Sequence, residues 1–325
     1  MTSKLFPTIF IGDVALDEYF HAERWPGPAD KDFVTDAGRF IGGSIANAAS
    51  VHAALGGRTE FGGQTEFVSL LNLGPMSDQL CAELVARGVS VRHMLRQDGI
   101  ADARNLIFLT GEEHVVLTVD MGFQPMELGR ALIEDLSRPG FLYTTLYRAR
   151  RLNHAGRGGA DLLADLRGQG RRAVFDLDVG GFAGADLGYL AGAGVLILNQ
   201  KGYAASFGQT ALPDLAGWMA AQGIGIVVRT RAEAGAEAFD GRTHVERAGY
   251  TVPVVDVTGA GDTFGAVLVH RLEEGEALSD ALDLAVLASA RAVTLQGPAA
   301  GMASMAELAA FRTRLTIGPG AGIRA

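Results

Sequence analysis

The 325-residue sequence predicts an α/β protein with a mostly parallel, doubly wound sheet between two helical layers, a three-layer α/β/α sandwich, and a small β lid beside it. Three observations predict this. From about residue 126 onward, short apolar runs at 141–147, 173–175, 195–198 and 224–228 alternate with helical stretches of roughly 10–15 residues, the pattern of strands covered on both faces. The chain is 48% hydrophobic with 44 glycines, enough to bury a substantial core and supply permissive backbone at many tight connections. Two earlier segments, 14–39 and 93–123, break the rhythm and read as β structure outside the main sheet.

Taken in order, Leu5-Phe6-Pro7-Thr8-Ile9-Phe10-Ile11 reads as a buried first strand. It is too short to span a bilayer and runs into Asp13 and Asp17 without a small-residue cleavage site. Pro26, Gly27 and Pro28 then interrupt any helix. Gly42-Gly43 opens an Ala-rich helix that stops at Gly56. Arg104–Thr110 and His114–Val119, joined across 111–113, form a hairpin. The expected division is an α/β core at 1–13, 40–92 and 124–325, with lid segments at 14–39 and 93–123.

Composition removes several function classes. The net charge is −9 and no Lys/Arg cluster is interleaved with aromatics, so no nucleic-acid partner is expected. Cys81 is alone and the seven histidines are scattered, which excludes an internal disulfide and zinc spacing and points to a reducing compartment. No stretch approaches the roughly 18 consecutive apolar residues of a membrane span, so a cytoplasmic protein is expected. Neither Lys31 nor Lys201 follows the glycine pattern of a P-loop, and no Gly-x-Gly-x-x-Gly follows the first strand.

The chemistry concentrates in Asp256-Val257-Thr258-Gly259-Ala260-Gly261-Asp262-Thr263-Phe264, read as a strand end, a Gly-Ala-Gly turn and a helix start. A helix N-terminus offers free N–H groups and a positive dipole end, and glycines let an anion reach the backbone. Gly259, Ala260 and Gly261 are therefore the candidate anion hole, and Asp262 the candidate base for an attacking hydroxyl. Helix capping is the competing role for Asp262.

That loop, together with Gly42-Gly43-x-x-x-Asn47-x-Ala49, resembles the PfkB, or ribokinase-like, family of carbohydrate kinases, in motif order across essentially the whole chain. The resemblance implies ATP-dependent phosphorylation of a hydroxyl on a small sugar or sugar derivative, with Mg2+ and, in some relatives, K+. A nucleoside kinase and a ligand-binding protein with weakened catalysis are the alternatives; Phe20, Trp25 and Phe33 are candidates to stack on a base. Carried over by position, the resemblance assigns Asp17, Gly42, Gly43 and Asn47 to the sugar, and Asn199, Thr230 and Gly235 to the nucleotide. It assigns Asp256 to loop support or a monovalent cation, and implies a homodimer through the lid. Arg104 is added as a cation able to reach a substrate carboxylate or phosphate. Two departures stand out. Gly202 occupies the glutamate position of Asn-x-x-Glu, leaving Asp176 or Asp178 as substitute carboxylates, and Ala232 stands where the nucleotide turn usually has glycine, so that turn is expected to be reshaped.

Overall fold

The computed structural model describes residues 6–25, 30–56, 65–110 and 113–317. Its main sheet has eight strands in the spatial order His244–Arg247, Ala236–Phe239, Ile226–Thr230, Val195–Asn199, Arg171–Asp176, Gly140–Thr144, Phe6–Ile11, Glu66–Val68. Ile226–Thr230 through Glu66–Val68 are parallel neighbours, and the two strands at the other edge are antiparallel. The expected three-layer sandwich is the observed fold.

Side-chain alternation along the strands builds two cores. Phe10, Tyr143, Val174, Val195 and Ile197 face one layer, where they meet helices Ser44–Ala54, Ala260–Glu273 and Leu278–Ala292. Ile9, Ile11, Leu142, Phe175 and Leu196 face the other, against Leu132, Leu163, Leu166, Leu215 and Met219. Successive strand residues point to opposite faces, so a continuous apolar run feeds both cores at once. On the first face Ala46, Ala48 and Ala49 are buried, and their small side chains let helix Ser44–Ala54 lie close to helix Ala260–Glu273. A buried polar knot joins these helices to the first strand. His52 Nε2 lies 3.0 Å from Glu273 Oε2, His52 Nδ1 lies 2.9 Å from Thr65 Oγ1, and Thr8 Oγ1 donates to Glu273 Oε2 at 2.8 Å. Each member has a partner, which is what permits burial of a carboxylate.

The lid is a four-stranded sheet in the order Val34–Gly42, Ala15–Ala22, Arg104–Thr110, Glu113–Thr118. Its limits differ from the segments read in the sequence. The strand Val34–Gly42 runs three residues past 39 to the Gly-Gly turn. Leu95–Arg96 pairs instead with Leu70–Leu71, in a separate two-stranded sheet. A second correction concerns the approach to the Gly-Ala-Gly turn, where residues 250–258 form no strand. Pro253 has no N–H to give a ladder, and Val255 and Asp256 N–H both turn to Val293 O at the end of a helix, at 2.7 and 3.3 Å. Val254, Val255 and Val257 consequently stay exposed beside the loop. Among the described residues, no helix is long and apolar enough to cross a membrane.

Candidate active site

The parallel strands end at Ile11, Thr144, Asp176, Asn199 and Thr230 on one edge of the sheet, and the candidate residues gather above that edge. Gly259 takes φ +76, and a Cβ there would lie 2.7 Å from Pro298 O, so the turn requires glycine. Helix Ala260–Glu273 starts at once, and Thr263 N–H is bonded back to Gly259 O at 2.9 Å. The first-turn amides of Gly261 and Asp262 thus lie at the helix end, where N–H groups lack helical acceptors. Ala260 N–H is engaged by Val257 O at 3.2 Å, which makes Gly261 the better donor of the pair.

Asp262 is not a helix cap. Its Oδ2 accepts a 2.8 Å hydrogen bond from Asn47 Nδ2, joining the two motifs across 215 positions of sequence. Burial pushes its carboxyl up to about 7; the Asn47 bond opposes this, and the charges of Asp176 and Asp178 add to it. A base poised near neutrality suits proton abstraction from a hydroxyl. Asp256 braces the loop: Oδ1 accepts from Thr258 N–H and Oδ2 from Gly297 N–H, each at 2.9 Å. Burial alone would raise its pKa, but the bonds from Thr258 and Gly297 hold it below the usual carboxylate value.

On the lid side, Asp17 and Gly42 lie against each other. A Cβ at Gly42 would fall 1.9 Å from Asp17 Oδ2, so glycine makes room for the carboxylate. Gly43 takes φ +103 and caps helix Ser44–Ala54, with Asp13 O where a side chain would be, 2.3 Å from its Cβ position. Asn47 is 5% exposed, yet its Oδ1 has no partner, leaving a buried acceptor beside the base.

Arg104 is not brought to this group. Strand register pairs Asp17 with Asn105 and Leu16 with Arg104, so Arg104 projects from the opposite face, where it pairs with Glu18. The residue beside Asp17 is Asn105, whose Nδ2 donates to Asp17 Oδ1 at 2.7 Å. Burial raises the Asp17 pKa and this bond lowers it, with a net upward shift. The sequence signal for Asn105 was its place next to Arg104 in an alternating strand, but the face was undecided without the pairing. Phe20 and Trp25 likewise pack with Phe108 on the far face, and Phe33 is exposed. Tyr19 and Phe40 are the aromatics on the face of Asp17, with ring centroids 5.6 Å apart. Burial and the charges of Asp17 and Asp256 shift the Tyr19 hydroxyl upward.

Toward the nucleotide positions, Asn199 and Thr230 are register partners at adjacent strand ends. Asn199 caps helix Gln200–Phe207 through Oδ1, which accepts from Gly202 N–H at 2.8 Å, while its Nδ2 donates to Asp178 Oδ1 at 2.7 Å. Gly235 takes φ +92, with Arg247 O 2.1 Å from its Cβ position. The turn at Ala232 keeps a left-handed backbone without glycine. Ala232 accepts φ +49, and Arg231 N–H to Gly235 O at 2.7 Å closes the loop around it, at a cost of about 1–2 kcal/mol for a left-handed alanine. At Gly202, the glutamate expected of the motif has no room, since a Cβ would lie 1.8 Å from Asp178 O. Asp176 sits below, hydrogen-bonded by the fully buried Tyr143 hydroxyl at 3.2 Å, and burial with the Asp178 charge lifts it to about 6.

Asp176, Asp178 and the Asn199 amide oxygen are hard oxygen donors of the kind Mg2+ takes. Outside the cleft, Glu237, His244 and Glu246 converge, but Glu237 already pairs with Arg229 and with His244 at 2.9 Å, an ion-pair network complete in itself.

Comparison with known proteins identifies the family and the fold. The chain is 28% identical over 309 residues to the bifunctional protein HldE of Bradyrhizobium sp., covering 89% of this chain and 60% of that protein. It is 37% identical over 78 residues to ribokinase of Lactococcus lactis, 24% of this chain and 26% of that one. The match thus spans less than two thirds of the length of either relative, 60% and 26%. Among solved structures, ribokinase from Thermotoga maritima superposes with TM-score 0.78 at 18% identity, covering 95% of this chain and all of that one. Arabidopsis thaliana ribokinase complexed with ribose and ATP does so at 0.78 and 19%, covering 94% and 98%. The model of the pfkB family carbohydrate kinases matches residues 9–305, and the chain belongs to that family.

Proposed function

We propose that this protein transfers the γ-phosphoryl group of ATP to a hydroxyl of a small sugar or sugar derivative. The observation that carries the proposal is the Asp262–Asn47 contact at the start of helix Ala260–Glu273: a carboxyl raised to about 7, beside first-turn amides. Asp262 takes the proton of the attacking hydroxyl, and the Gly259-Ala260-Gly261 loop, chiefly through the Gly261 amide, holds the phosphoryl oxygens. Asp17 and Asn105 bind hydroxyls at the lid end of the acceptor, and the unpartnered Asn47 Oδ1 accepts from a hydroxyl near the base. Asp176, Asp178 and Asn199 would hold Mg2+, which would supply positive charge to offset that of the triphosphate. The lid covers the acceptor and keeps water from the phosphoryl group.

A nucleoside acceptor is the second reading, favoured by the Tyr19–Phe40 pair, which offers a ring surface on the acceptor face. A panel of sugars, sugar acids and nucleosides, each incubated with ATP and Mg2+ and assayed for ADP release, separates the two. Turnover with a sugar or sugar acid is expected. Turnover confined to nucleosides establishes the second reading, and background rates with the whole panel contradict both.

A further inference from the structure

With Arg104 on the far face of the lid, positive charge beside the Gly-Gly turn comes from the segment after strand Gly140–Thr144. Thr144 Oγ1 donates to Ile11 O at 2.8 Å and holds the ends of two neighbouring strands together. One helical turn follows, Leu146–Ala149, capped by Thr145 Oγ1, which accepts from Arg148 N–H at 3.2 Å. That turn brings Arg148 to Asp13, just past the first strand, and the two side chains form an ion pair. Asp13 O lies 2.3 Å from the Cβ position of Gly43, so the pair borders the glycine turn that opens the helix of Asn47.

A second guanidinium, that of Arg151, is only 8% exposed. Its Cζ packs against two rings, 3.5 Å from the Tyr147 centroid and 4.4 Å from that of Phe123. Both aromatics are otherwise exposed, and their faces hold a cation without neutralising it. Arg151 Nη1 donates to Tyr147 O at 3.0 Å, and among the described residues the side chain makes no ion pair and no other hydrogen bond. Burial lowers the Arg151 pKa and the Arg148 charge adds to this, while Tyr147, Asp13 and Asp120 oppose it. Arg148 is also under-satisfied: beyond Asp13 it has Met126 Sδ at 3.8 Å, and its buried Nε has no partner. A buried guanidinium with unused donors is costly to leave unpaired, and its planar fork matches a carboxylate or a phosphate.

We propose that the acceptor is an acidic sugar, and that Arg151, backed by Arg148, binds its carboxylate or phosphate ester. The inference rests on the phosphotransfer reading and narrows its acceptor. The anion is the partner that Arg151 lacks, and Tyr147 and Phe123 hold the fork in place to receive it. A neutral sugar leaves those donors unmet, which is how the site discriminates against it.

The test reads binding and turnover separately. Pentoses, hexoses and heptoses, each as free sugar, aldonate and terminal phosphate ester, are titrated calorimetrically without nucleotide, then assayed for ADP release with ATP and Mg2+. The series is repeated with Arg151→Gln and Arg151→Lys, and the thermal midpoint of each protein is recorded. An acidic member should bind best, about 10–100-fold tighter than its neutral counterpart. Arg151→Gln should remove most of that ratio, through KM rather than kcat. Arg151→Lys, which keeps the charge without the fork, should retain part of it, and carries the comparison if the glutamine variant does not fold. The aldonate and ester arms show which anion fits. A neutral sugar as the best ligand, or an acid-to-neutral ratio unchanged in a folded variant, overturns the inference. Charge-selective binding without ADP release from any member overturns the phosphotransfer reading and leaves the anion site standing. Binding by no member overturns both.

Discussion

Burial drives the Asp262 carboxyl toward its neutral form, and the amide of Asn47 draws it back. The ionised form is the base, so activity should rise with pH through about 7, the folded pKa. In Asn47→Ala the lowering hydrogen bond is gone and the folded pKa moves further up. The acid limb of kcat against pH should then shift upward by about one unit, with the loss largest below neutrality. A pH–rate profile checks this, and an unmoved limb would show that Asn47 serves the acceptor alone. Asp262 and Asn47 were legible because each sits in a short motif whose glycines mark a turn. Asn105 was not, because which of two adjacent strand residues joins Asp17 depends on register, and register is set by pairing with a segment about 90 positions away. The same alternation took Arg104, Phe20 and Trp25 to the other face.

Helix Ala260–Glu273 owes its position to glycines inside it as much as to its apolar face. Gly265 lies mid-helix, where glycine costs up to about 1 kcal/mol relative to alanine, yet a Cβ there would lie 2.0 Å from the Tyr143 hydroxyl. Gly265→Ala should therefore destabilise by about 1–3 kcal/mol despite its better helix propensity. Combined with Tyr143→Phe, which removes the atom struck first, it should cost less than the sum of the two single changes. Denaturant unfolding of the four proteins checks this, and additive costs would contradict the close approach. At this scale the parallel strands and the Ala-rich helix were readable from apolar runs and turn residues. The approach at 250–258 was not: its valines look like a strand, but Pro253 lacks the N–H a ladder needs, and the amides of Val255 and Asp256 find a helix end.

At the scale of the molecule, a sheet with parallel strands ending on one edge sets Asn199 and Thr230 side by side, the Asn47–Asp262 bond joins the two glycine motifs, and the lid pairs Asp17 with Asn105. The order of motifs made that layout legible, while the lid's outline needed the pairing of Leu95–Arg96 with Leu70–Leu71 to be drawn. At Gly202 the turn beginning at Asp178 leaves no room for a side chain, a packing constraint that the sequence alone did not reveal. Everything in this arrangement converges on one carboxyl. The most direct measurement is phosphoryl transfer from ATP by wild type and Asp262→Asn on the best acceptor, with the thermal midpoint of each recorded. The account predicts an intact fold and a rate lower by roughly 10²–10⁴-fold or more in the variant. Turnover within a few-fold of wild type, in a variant that is folded, would contradict it.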